Sequence, residues 1–399
     1  MRGVTLRFTE ARRMVIETVR ANRRPAPVEE VGLLEAAGRV LAEPLAADRD
    51  FPPVARSIRD GYAVRCADLP GELRIAGEVR AGTRFEAGLR PGEAVEIMTG
   101  APVPAGADAV VMVEHATRLG DRVRIERKAE PGQFINPQGA EARQGEILLG
   151  PGMRLGFAQI ALAASVGRTR LRVFARPRVA ILPTGDEVVP VEASPRPFEV
   201  RNSNAYSLAV QVARAGGIPQ IMEVAKDNRE DTRRGIEACL RMDLLLLSGG
   251  VSAGKYDVVE RALADLGAEF CFDRVLIQPG QPLVFGRVQG IFFFGLPGNP
   301  ASTMVTFELF ARAAMELLAG LEAPELPVFQ VRLAENFRHK PGLTRFLPAR
   351  LSPDGTELRP IPWRGSSDVA AMARANAWLV ANADRECWEA GELIDVIVP

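Results

Sequence analysis

Histidine is close to absent from this chain of 399 residues: His115 and His339 are the only two, and neither sits in a motif. That leaves no material for a histidine-built zinc site or a facial triad. Cysteine is scarce as well. Cys66, Cys239, Cys271 and Cys387 lie far apart and form no C-x-x-C pair, so four buried thiols in a reducing compartment are expected. Any metal should then be a hard cation held by carboxylates. There is no excess charge of one sign: 50 Lys and Arg against 50 Asp and Glu give zero net charge, which argues against a nucleic-acid partner. Lysine itself is rare, confined to Lys128, Lys226, Lys255 and Lys340, an arginine bias that reads as compositional. Long apolar runs are missing too. The stretch from Leu148 to Val166 is broken by Arg154 and Gln159, and the opening MRGVTLRFTEARR has no apolar signal core. No membrane segment is expected, and a cytoplasmic location is.

What is present is an ordinary globular mix, 47% hydrophobic and 25% charged, too long for one core and suited to two to four domains. The spacing of Ala11, Val15 and Val19 predicts a helix that Thr9 can cap, and VEEVGLLEAAGRVLAEPL predicts a second. From Phe51 the texture turns to short alternating strands split by Gly and Pro: Leu73 to Val79, Ala94 to Met98, Ala109 to Val113 and Val123 to Arg127. Helical texture returns over 151–168. The expected organisation is a discontinuous helical unit (1–50 with 137–175) interrupted by a β domain (51–136). Strands and helices then alternate over 176–322, and uninterrupted apolar strands such as Leu244 to Leu247 indicate a parallel, doubly wound α/β domain. Residues 323–399 return to alternating strands, expected to form a compact β barrel or sandwich.

Three strands of the α/β region run into polar loops: PTGDEV after Leu182, SGGVSAGKYD after Leu247 and GLPGNPAS after Phe294. In an open parallel sheet such loops share the carboxyl edge, where ligands bind. In the second loop Gly249, Gly250 and Gly254 permit close backbone approach to an anion, and Ser248 and Ser252 add hydroxyl donors. In the third, Asn299 reads as a helix N-cap with Pro300 at the first helical position. Asp186 and Glu187, with Asp257, bring three carboxylates to the same edge, as a Mg²⁺ ion bridging to phosphate would require.

Together GRVLAE, DGYAV, MTGAPVP, GADAVV, LPTGDEV, RNSNAY, SGGVSAGKYD, PGQPLVFG and GLPGNPAS make the chain resemble the molybdopterin molybdenumtransferases, the MoeA and gephyrin E-domain family, over nearly its whole length. The resemblance implies an α/β domain of the molybdopterin-binding type, an inserted β domain and a C-terminal β barrel. It also implies an enzyme that inserts molybdenum from molybdate into adenylylated molybdopterin, releasing AMP, with Mg²⁺ as cofactor. Family members work as homodimers in which the β domain of one subunit closes over the α/β pocket of the other. Further implied partners are the molybdopterin adenylyltransferase that supplies the substrate and the apoenzymes that receive the product.

By position, the family's catalytic residues fall on Asp60, Thr99, Glu187, Asp227 and Asp257, with Glu187, Asp227 and Asp257 as metal ligands. Substrate contacts fall on Ser248, Gly249, Gly250, Ser252, Gly254, Pro297, Gly298, Pro300, Gln278, Gln281 and Ser366. The chain departs from the family at four points: Arg59 stands where Met is usual, Glu141 where Asp is usual, and Gln278 and Gln281 where Lys is frequent. A catalytically weakened molybdopterin-binding scaffold is the rival reading, and the retained acids favour the enzyme.

Overall fold

The computed structural model describes residues 4–250 and 258–399. At its centre the strands Ile218–Ile221, Arg178–Pro183, Leu244–Ser248 and Ile291–Leu296 pair in parallel in that spatial order. Val284–Val288 and Glu269–Phe272 extend the far edge antiparallel. Side chains alternate between two cores. Val179, Ile181, Leu244, Leu246, Phe292 and Phe294 face one, while Ala180, Leu182, Leu245, Leu247 and Phe293 face the other. Both faces are covered, which is why these strands are continuously apolar. Each fully buried leucine here contributes roughly 1.5–3 kcal/mol.

The helix Phe8–Asn22 buries Ala11, Val15 and Val19 against this α/β core. Arg12, Arg20 and Arg23 clamp it there, donating to the carbonyls of Leu309 and Pro324, of Glu322, and of Leu317. These carbonyls lie in and just beyond the long helical segment that ends at Leu318. Burial pulls the Arg12 guanidinium down to about 10. Thr9 lies within the first turn and is not the cap. The Glu10 carboxylate instead accepts from the Arg7 N–H at 2.9 Å.

The expected second helix is replaced by the strand Val28–Gly32, one helical turn over Leu33–Ala36 and, at Gly38, a backbone with φ of 76°. Pairing with Arg170–Phe174 outweighs local propensity here. Ala36, Leu41 and Leu45 share a core with Leu149, Leu155, Ala163, Leu171 and Val173, so chain from both sides of the β insertion builds one unit. In that insertion Gly61–Val64, Gly71–Val79, Glu93–Ile97, Ala109–Met112, Thr117–Leu119 and Arg122–Ile125 form a six-stranded sheet.

At the C-terminus Phe329–Leu333, Thr344–Leu351, Glu357–Pro360, Ala377–Ala381 and Leu393–Ile397 close into a five-stranded barrel, sealed by pairing of Thr344–Leu351 with Ala377–Ala381. Ile277–Gln278 adds to it in parallel and so ties the PGQP loop to the barrel. The cysteines differ from expectation: Cys239 is buried, Cys66 and Cys271 are half-buried, and Cys387 is exposed.

Candidate active site

Among the described residues, Thr184, Ser248 to Gly250 and Gly298 of the three loops expected at the carboxyl edge do meet there, and hydrogen bonds stitch them together. The Thr184 N–H donates to Ser248 O at 3.0 Å, and the Gly249 N–H to Leu296 O at 3.2 Å. Asn204, in the first turn of the helix Ser203–Arg214, donates through Nδ2 to Ser248 Oγ (3.0 Å) and to Gly298 O (2.8 Å). Because Gly298 O can only accept, the amide orientation is fixed and Oδ1 is left as a buried acceptor without a partner among the described residues.

These loops wall a cleft of about 780 Å³. Thr184, Glu187, Asn204, Ser248, Gly249 and Gly250 line one part of it, and Pro282, Pro297, Gly298, Asn299, Pro300 and Ser367 another. The glycines are needed for shape. Gly249 has φ of 103°, and a Cβ there would lie 2.6 Å from Thr184 O. Thr184 itself is 2% exposed and its hydroxyl has no partner among the described residues.

Asn299 occupies the N-cap position but does not cap through its side chain. Its Nδ2 donates to Ser366 Oγ at 2.8 Å, while Ser366 O accepts from the Ala301 N–H at 3.0 Å. A loop of the C-terminal unit is thereby fastened to the cleft. Pro300 takes the first helical position, as expected. Thr303 Oγ donates to Pro297 O at 2.6 Å and steadies the same turn.

Beside the cleft, the Asp227 N–H donates to Asp186 Oδ1 at 3.2 Å. Partial desolvation raises the Asp227 carboxyl above its ordinary value, with the charges of Glu187 and Asp186 adding to the rise. The acids of two loops are thus close enough to repel. Among the described residues no group of three or more His, Cys, Asp or Glu side chains is arranged as a metal cage. Ser252, Gly254 and Asp257 lie outside the described residues.

Asp60 and Thr99 sit together on the inserted β unit and do not line this chain's cleft. Asp60 Oδ1 accepts from the Thr99 N–H at 2.6 Å and from Thr99 Oγ at 2.8 Å. Those two bonds, the backbone one first, hold the carboxyl below its usual range. The neighbouring Arg59 lies over the Phe134 ring at 5.9 Å, and Glu141 accepts from Asn136 Nδ2 at 2.9 Å. In the PGQP loop Pro282 reaches the cleft, whereas Gln278 and Gln281 are not among its lining. Gln278 pairs with Arg345 in the barrel ladder, and Gln281 O accepts from the N–H groups of Val275 and Leu283.

Sequence reasoning singled out neither Thr184 nor Asn204, nor Arg201 on the cleft wall. An Asn at a helix start reads locally as a cap, and its cross-loop bonds exist only in three dimensions.

Comparison with known proteins covers the whole arrangement. Residues 6–167 match the MoeA N-terminal region (domain I and II), residues 180–317 a probable molybdopterin binding domain, and residues 330–398 the MoeA C-terminal region (domain IV). The chain is 32% identical over 378 residues to a molybdopterin molybdenumtransferase of Staphylococcus epidermidis, spanning 92% of this chain and 90% of that one. It is 38% identical over 312 residues to one of Nostoc sp., spanning 75% and 72%. A crystal structure of a molybdopterin biosynthesis MoeA protein from Pyrococcus horikoshii is similar with a TM-score of 0.75 and 30% identity, covering 99% of each chain.

Proposed function

This chain belongs to the molybdopterin molybdenumtransferase family, and we propose that the cleft at its sheet edge receives adenylylated molybdopterin and molybdate and releases AMP. It is a transferase of molybdenum cofactor biosynthesis that inserts molybdenum. The observation that carries the assignment to this cleft is the pairing of a side-chain-free glycine turn with crowded acids beside it. Gly249 and Gly250 let an anionic group lie against the backbone. Asn204 keeps the Ser248 and Gly298 loops at a constant separation, so that the bound group meets a preorganised wall.

The donor set suits Mg²⁺. Its oxygens are hard, and a cation would offset both the desolvation that chiefly raises Asp227 and the charges of Glu187 and Asp186 that add to it. Glu187 and Asp227 would hold the ion, with Asp257 as the third ligand by resemblance. When bound, it would neutralise charge on the phosphate being released. Glu187 and Asp227 would also orient a water or oxyanion toward the anhydride.

The protein works as a homodimer in this reading. Asp60, anionic and braced by Thr99, is separate from its own chain's cleft and would complete that of a second copy. Leu34 and Phe157, 90% and 93% exposed on the first unit, are apolar surfaces for that copy to cover. A cytoplasmic setting fits the substrate, and among the described residues no helix is long and apolar enough to cross a membrane. The test is AMP release from adenylylated molybdopterin with Mg²⁺ and molybdate. Glu187→Gln and Asp60→Asn should each abolish it, and wild-type release by Glu187→Gln would overturn the assignment.

A further inference from the structure

We infer that Arg201 is the residue that grips a tetrahedral oxyanion of the substrate in this cleft, an assignment that rests on the transferase reading above. Three charged residues line the cleft among those described: Glu187, Glu199 and Arg201. Glu199 is already engaged, accepting from Arg196 through Nε (2.7 Å) and through the backbone N–H (2.8 Å). Arg201 has no ion pair among the described residues. Its Nε donates to Ala193 O at 3.0 Å, which orients the guanidinium and leaves the two Nη groups available as a fork. Such a fork matches phosphate and similar oxyanions in two parallel bonds.

The position is built by its surroundings. Val200–Arg201 pairs with Val188–Val189, the residues directly after Glu187, so the cation and the acid ride on one small ladder. One residue on, the helix Ser203–Arg214 begins. Asn202 takes the Ala205 N–H at 3.2 Å, and the first-turn N–H groups of Ser203 and Asn204 have no acceptor within the helix. Within the same lining, the hydroxyl of the buried Thr184 has no partner among the described residues. Among the described residues, a guanidinium without an ion pair, helix N–H groups without an intrahelical acceptor and a hydroxyl without a partner together describe a site suited to an anion.

Among the described lining residues Arg201 is the one cation, set against Glu187 and the already paired Glu199, so it supplies the positive charge that a polyanionic substrate meets on this wall.

The oxyanion could be the substrate's phosphate or molybdate, and titration calorimetry on the full chain separates them. AMP, adenosine and sodium molybdate would be titrated into wild type, Arg201→Gln and Arg201→Lys. Arg201→Gln should weaken AMP or molybdate roughly tenfold, as expected for losing a charge-assisted contact, with adenosine unchanged. Whichever oxyanion weakens is the one held. Arg201→Lys should recover part of the loss, since it keeps the charge but not the fork. Equal affinities of wild type and Arg201→Gln for both oxyanions would overturn the role of Arg201 and leave the cleft assignment standing. If wild type binds neither, the reading of the cleft fails, and this inference with it.

Discussion

Asp227 is where stability and chemistry pull against each other. Its carboxyl is raised from 3.8 by partial desolvation and by Glu187 and Asp186, so the native state holds that proton more tightly than the unfolded chain does. The sign follows. Stability associated with the group is present below 3.8 and is lost as pH rises through the raised native value. Asp227→Asn should therefore raise the melting temperature near pH 7, with the gain vanishing in acid, while AMP release falls about a hundredfold or more. A thermal scan at both pH values beside the release assay checks it, and a lower melting temperature at pH 7 would contradict the repulsion argument. Gly249 makes the opposite case, where fold and site agree. An alanine there meets Thr184 O at 2.6 Å in a backbone conformation that L-residues avoid. Gly249→Ala should cost about 1–3 kcal/mol and weaken AMP binding together. Urea titration and calorimetry measure the two effects.

Among elements, the helical run from Pro300 to Leu318 joins the cleft to the rest of the molecule. Its first turn is held by Ser366, and its middle passes through a π segment at Phe307–Ala311. On one side two buried acids, Glu308 (5% exposed) and Glu316 (3%), flank Arg312, which donates to both at 3.1 Å. Gln211 adds a 3.0 Å bond to Glu308, and Arg154 pairs with Glu316 at 3.3 Å, which links the first unit to this helix. Arg312→Met should destabilise by about 3 kcal/mol, because it removes the cation shared by two buried carboxylates and leaves them to Gln211 and Arg154. Adding Glu308→Gln and Glu316→Gln should recover much of that loss in a urea melt. Failure of the triple variant to recover would mean that packing of the arginine stem, not charge, carries the effect.

For the whole molecule, the position of Asp60 outside the described lining of its own chain's cleft has a consequence that can be measured by mixing. Asp60→Asn and Glu187→Gln subunits are each expected to be inactive alone. Refolded together, they should regain AMP release, since in the homodimer proposed above a mixed dimer would contain one cleft with both acids intact. Phe157→Asp should shift the protein to monomer in sedimentation and reduce release, while the circular dichroism of the chain stays unchanged. Heterodimers that form without regaining activity would refute the shared cleft.

Much of this was legible in the residues themselves. Uninterrupted runs such as Leu244 to Leu247 announced a sheet covered on both faces, because only burial on both sides tolerates such a strand. Loop motifs at the ends of Pro183, Ser248 and Leu296 announced the cleft, because parallel strands bring their carboxyl ends to one edge. Turn-rich alternation marked the inserted and C-terminal β units. What the linear order could not decide depends on partners remote in sequence. Val28–Gly32 is a strand because Arg170–Phe174 lies beside it, although its local pattern favours a helix. Asn204 is a clamp because Ser248 and Gly298 come within hydrogen-bond reach of its amide, and among the described residues Arg201 keeps its charge unpaired while Glu199 on the same wall is held by Arg196. Local pattern determines which faces are apolar and where the chain turns, whereas pairing, clamping and leftover charge are decided when distant segments meet.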